Sequence, residues 1–193
     1  MKKIIIFMML ALVPTFMWAQ DRDEEGDSIR SNTKYGELFL QKGIFYKFED
    51  FKIEKYPYIV NINGPKIKTS IRKVYNEPQN HYFVKLRADG YVVFIDYSDL
   101  VEINKAINKL KSEAENDLLK KPEYLENEYI SDDNFLIGYW VKKSLGQYVV
   151  KWCFVFDRSN IYGGKFKDID IDKISKMFQE KQAEIEEMMA ADK

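Results

Sequence analysis

The stretch "RADGYVVFIDYSDLVEINKAINKL", residues 87–110, changes its hydrophobic period once, and that change dictates a hairpin followed by a helix. A turn at Asp89-Gly90 pairs Ala88 with Tyr91, Leu86 with Val93 and Val84 with Ile95, and every residue on that face is apolar. Slipping the pairing by one residue would send one strand's whole apolar set to the opposite face, so the register is strongly specified. Past Asp96 the apolar positions become Leu100, Ile103, Ile107, Leu110 and Ala114, spaced by threes and fours as on an amphipathic helix. Pro122 ends that helix by about Lys121. The oxygen-bearing side chains at the junction have a structural task available, because the first amides of a helix lack partners and a short polar side chain supplies one. Asp96 or Ser98 is the predicted cap, Ser98 first, since Asp99 is then the first helical residue; Glu102 also falls in the first turn, where the helix dipole favours negative charge.

The remaining chain follows the same plan. Ile44, Tyr46 and Phe48 share a strand face, after which Phe51 and Ile53 take over, so a bulge or turn is predicted near Glu49. Asn63-Gly64 suits a two-residue turn pairing Val60 with Ile67, Tyr58 with Thr69 and Tyr56 with Ile71. The opposite face of that hairpin would hold Ile59, Asn61, Lys66, Lys68, Ser70 and Arg72, mostly polar. Further on, "FLIGYWVKK" and "QYVVKWCFVF" flank "SLG", a short hairpin loop that would set Gly138 beside Trp152. Ile174, Met177, Phe178, Ile185, Met188 and Met189 mark a second helix, with Asp172 as its cap. Strands, an Asp-rich junction and a helix thus occur twice, and "DYSDLVEI" at 96–103 resembles "DIDKISKM" at 170–177 in pattern. The predicted class is α+β: antiparallel hairpins packed against two amphipathic helices, in one domain over 35–193 with similar halves at about 35–121 and 122–193.

Residues 1–19 carry Lys2 and Lys3, then an uncharged run from Ile4 to Trp18 and a small Ala19. That is the layout of a secretory signal peptide, and the run is shorter than the roughly 20 residues a membrane-spanning helix needs. No cysteine follows it, so a cleaved, periplasmic or secreted protein is expected rather than a lipoprotein. The opening "MKKIIIF" and the closing "AQ" resemble the signal segments of exported proteins of Bacteroidota-type bacteria, and the resemblance implies export alone. Residues 20–34 hold one Ile and no aromatic residue, the composition of a flexible acidic leader. Without residues 1–19 the net charge is −3, too balanced to predict a nucleic-acid or membrane partner.

The candidate chemistry is sparse. Asp168, Asp170 and Asp172 have the D-x-D-x-D spacing of a calcium loop, but Lys173 and Gln179 stand where that loop needs Gly and Glu. Ser70 and Lys73 match an S-x-x-K nucleophile motif whose chemistry needs a helix, and on a strand they face opposite sides. His81 and Cys153, the only residues of their kinds, make neither a zinc set nor an exposed catalytic pair. No cofactor and no metal ligands are predicted.

Charge is uneven. Residues 35–90 hold ten Lys/Arg against six Asp/Glu, whereas 91–193 hold 15 against 20. Lys66, Lys68 and Arg72 fall on one strand face, which could grip an anionic ligand or an acidic partner, or protect a sheet edge. The expected function is therefore a non-catalytic binding module with a protein or glycan partner. The alternative is an exported hydrolase acting through carboxylates that the fold assembles.

Overall fold

The computed structural model describes residues 33–40, 45–56, 59, 66–76, 79–159 and 164–192. A short helix α1 (Lys34–Leu38) precedes four strands, β1 (Lys47–Tyr56), β2 (Ile67–Tyr75), β3 (His81–Ala88) and β4 (Tyr91–Asp96), and the long helix α2 (Tyr97–Leu119). The second half repeats this as β5 (Tyr124–Ile130), β6 (Leu136–Ser144), β7 (Gln147–Val155), β8 (Lys165–Lys167) and α3 (Ile171–Ala191). Each set of four strands is an antiparallel meander in sequence order. The fold is α+β, with two sheets rather than one.

Each sheet has one apolar face, and α2 and α3 cover both. Ile67, Ile71, Val84, Leu86, Val93 and Ile95 of the first sheet share one core with Ile137, Tyr139, Val141, Phe154 and Phe166 of the second. The predicted stripe from Leu100 to Ala114, and Ile174, Met177, Phe178 and Ile185 of α3, lie in that same core. The halves also interlock through polar contacts. Tyr139 in β6 donates to Asp117 of α2 at 2.7 Å, and Asn104 of α2 donates to Gln182 of α3 at 2.7 Å. Lys181 of α3, 0% exposed, reaches the first sheet, where it meets Glu54 at 2.6 Å and donates to the Lys52 carbonyl at 3.2 Å.

The Asp89-Gly90 hairpin has the register the apolar pattern demands, with both turn residues at positive φ and Leu86 opposite Val93. Other registers differ from expectation. Tyr56 pairs with Ile67, not Ile71, so the connection spans ten residues and the Asn63-Gly64 turn lies outside the described residues. The parity change in β1 falls between Phe51 and Glu54, with Lys52 at positive φ, rather than at Glu49. Lys181 supplies the reason, since its ammonium ties down the carbonyl and the carboxylate that flank the bulge. In the second sheet the loop is the two residues Leu145-Gly146, which sets Gly138 opposite Cys153 and Tyr139 opposite Trp152. Gly138 is needed for β5 instead: a Cβ there would lie 2.5 Å from the Asn127 carbonyl oxygen.

The helix caps also move. Asp96, not Ser98, caps α2 by accepting from the Ser98 amide at 2.8 Å, and Asp170, not Asp172, caps α3. In both halves the strand-side Asp wins because the helix begins one residue after it, so Ser98 and Asp172 already lie in the first turn. Asp96→Ala should cost about 1 kcal/mol in denaturant unfolding, and Ser98→Ala less, because the Ser98 hydroxyl donates to Asp96 and accepts from the exposed Lys34 ammonium but caps no amide. Equal losses for the two variants would contradict the cap assignment.

Candidate functional site

Among the described residues, the second face of the first sheet is covered at one end by α1. Tyr35 of α1 stacks on Phe94 with ring centroids 3.7 Å apart and meets Phe83 edge-on, and Val74, Leu38 and Phe39 complete a small cluster there. Beyond that cluster the face is open, and it holds a cleft of about 260 Å³ lined by Asp50, Ile53, Lys68, Thr69, Ser70, Lys85 and Arg87. Its floor is β2 and β3 and its wall is the bulged edge strand β1, where Ile53 stands 70% exposed.

The cations lie in a row. Lys68 stands directly opposite Arg87 on β3 and opposite Lys55 on β1, and Ser70 is opposite Lys85. Like charges facing each other across strands oppose folding, by some tenths of a kcal/mol for each pair.

Of the three residues singled out by sequence, only Lys68 lines the cleft. Lys66 is exposed just before β2. Arg72, expected on an exposed basic face, is instead 5% exposed. Its guanidinium donates to both Asp50 oxygens, at 2.6 and 2.8 Å, and to the Tyr35 hydroxyl at 2.8 Å. Burial opposes its charge, but the bonds from Asp50 and Tyr35 prevail and raise its pKa. It also lies over the Phe48 ring, 4.6 Å from the centroid. Arg72 therefore ties Asp50, which lines the cleft, to Tyr35 of α1. Lys85 shares Asp50 at 3.5 Å. The sequence placed Lys85 and Arg87 on one strand face, but their alignment with Lys68 depends on the β2–β3 register, which no tight-turn dipeptide announces. His81 falls at the far end of β3, opposite Val74.

A second polar cluster holds α1 in place. Lys34 makes ion pairs with Asp99 and, at 3.4 Å, with Asp132, and its ammonium donates to Ser98 at 3.0 Å. Its backbone N–H donates to Asp133 at 2.7 Å, and the Asp133 amide donates to Asp99 at 3.1 Å. Asp99 is thus a buried brace rather than a solvated first-turn charge. Asp133 is 2% exposed, and burial, against the pull of the Lys34 N–H and with the charge of Asp99 adding to it, pushes its carboxyl up to about 6. Cys153 is buried too, and burial pushes its thiol up to about 11, which makes it a poor nucleophile. In the D-x-D-x-D run, Asp168 pairs with Lys151 at 2.7 Å and Asp172 with Lys111 at 2.5 Å, while Asp170 caps α3. Among the described residues no group of three or more His, Cys, Asp or Glu could hold a metal ion, and no helix is long and apolar enough to cross a membrane.

Two outcomes follow from this arrangement. Lys55→Glu replaces a like-charge pair by an opposite one and should raise stability by about 0.5 kcal/mol, read as a higher urea midpoint at low salt. Asp133 binds its proton more tightly folded than unfolded, where its pKa is about 3.9. Its stabilising contribution is therefore complete below about pH 4 and is lost as pH rises through about 6. Asp133→Asn should remove that loss, so the difference between variant and wild-type midpoints should move in the variant's favour from pH 4 to pH 7. A difference that stays flat would contradict the raised carboxyl.

No protein-family model matches the chain, and no curated protein matches it.

Proposed function

We propose that this chain is an exported, non-catalytic binding module that holds an anionic ligand in the basic cleft of its first sheet. The observation that carries this reading is the cross-strand row Lys55–Lys68–Arg87, with Lys85 beside it. Three adjacent strands present cations to one another, and Asp50, which lines the cleft, pairs with both Arg72 and Lys85. An incoming carboxylate, sulfate or phosphate relieves the repulsion and gains charge-assisted hydrogen bonds from Lys and Arg donors. The charged amino terminus and short apolar run of residues 1–19 support export.

A hydrolase would need two acids facing one cavity, one to donate and one to accept a proton. Among the described residues, the cleft lining holds three cations, Lys68, Lys85 and Arg87, and one carboxylate, Asp50, a charge balance that supports the anion-binding reading. The test is calorimetric titration of the protein with a hexaglutamate peptide and with a sulfated oligosaccharide at low salt, using neutral analogues as controls. Lys68→Glu and Arg87→Glu should each weaken binding of the anionic probe about tenfold, since a reversal removes an attraction and adds a repulsion of about 0.5–1 kcal/mol each. Unchanged affinity in both variants would refute the cleft as the binding site.

A further inference from the structure

We infer that two copies of this chain pair face to face through the outer face of the second sheet, as a weak dimer with its twofold axis along the strands. The inference is independent of the cleft, which lies on the first sheet.

Strand alternation defines the face. Ile137, Tyr139, Phe154 and Phe166 belong to the shared core, so the residues between them point away from it. There Leu136, Cys153 and Val155 form a small buried cluster, with Trp140 half-buried against it. On β5 the same face carries Tyr124, 59% exposed, and Ile130, 48% exposed. A Trp, a Tyr and an Ile left partly in water on one sheet face are the side chains that anchor protein interfaces.

Charge says what covers them. One rung crosses all four strands: Glu128 opposite Gly138, Gly138 opposite Cys153, and Cys153 opposite Lys167. The ends of this rung are exposed and opposite in charge, and its middle carries almost no side chain. The two outer strands lie about 14 Å apart, at roughly 4.8 Å per strand spacing. Among the described residues neither Glu128 nor Lys167 has an ion pair. Glu126 also points outward from β5, and Lys165 from β8, where its ammonium lies 6.0 Å from the centre of the Trp140 ring. One edge of the face is therefore acidic and the other basic.

Symmetry turns that division into self-complementarity. An axis along the strands, between β6 and β7, lays β5 of each copy on β8 of the other. Glu128 then meets Lys167 of the second copy, and the contact occurs twice. Gly138 falls over Cys153 of the second copy, where both side chains are small enough for the sheets to approach. An axis across the strands would instead set β5 on β5 and glutamate against glutamate. Aligned sheets are also the ordinary packing of a β-sandwich. Four strands and the seven residues of β5 give a face of about 450 Å² per copy, at roughly 4.8 Å and 3.3 Å spacings. A standard interface buries roughly 800 Å² per partner, so the dimer is weak and depends on its ion pairs.

Sedimentation equilibrium of the protein at low salt, up to about 1 mM, should show a monomer–dimer equilibrium that weakens as salt is added. Glu128→Lys and Lys167→Glu should each lower dimer affinity about tenfold, since each turns two opposite-charge contacts into like-charge ones. An equimolar mixture of the two variants should recover the affinity, because one then offers only cations at these positions and the other only carboxylates. A protein that stays monomeric throughout, a dimer indifferent to either reversal, or a mixture no tighter than its components overturns the inference.

Discussion

The architecture depends on burying one apolar face of each sheet beneath the same pair of helices. Neither four-stranded meander can cover itself, and each would expose a continuous apolar surface if left alone. Helices α2 and α3 solve both problems at once, because their stripes face a core drawn from the two sheets together. The polar contacts reinforce this crosswise. Asp117 of α2 is held by Tyr139 of the second sheet, while Lys181 of α3 is held at the β1 bulge of the first. Each helix is fastened to the other half's sheet, so the two similar halves form a single core rather than two adjacent ones.

The site follows from what that arrangement leaves uncovered. With both long helices on the shared core, the five residues of α1 are what the described residues bring to the second face of the first sheet. They cover Val74, Phe83 and Phe94 and stop there. Arg72 stands at the border. Its planar guanidinium satisfies Asp50 with two parallel bonds and lies over the Phe48 ring, a role a lysine would not fill. On one side of Arg72 the face is packed with aromatic rings, and on the other it is open and cationic.

The cations of this protein differ in what stands opposite them. Lys181 is fully buried and holds two carboxylates, and its removal would leave Glu54 and Glu184 facing each other without it. Lys34 gathers the acids around Asp99 and thereby fixes the start of α1. Lys55, Lys68 and Arg87 instead face one another across the strands. Repulsion kept within a folded sheet lowers stability.

Local order was legible in the sequence. The Asp89-Gly90 turn and the apolar residues beside it allowed one register, because any other would have buried charge, and the α2 stripe allowed one helical face. The twofold run of strands, Asp junction and helix was legible too, although the caps fell at Asp96 and Asp170 rather than at Ser98 and Asp172. These features depend on neighbours within a few residues, where turn geometry and period leave few choices. Tertiary structure decided the rest. The sequence could not show that Lys181 would shape a bulge 129 residues away, that Arg72 would be buried against Asp50, or that Lys55, Lys68 and Arg87 would align. Those outcomes depend on registers between strands joined by loops without a tight turn, and on which of several carboxylates a long, flexible cation meets. Periodicity says which face a residue takes, but only the packed sheets say what stands opposite it.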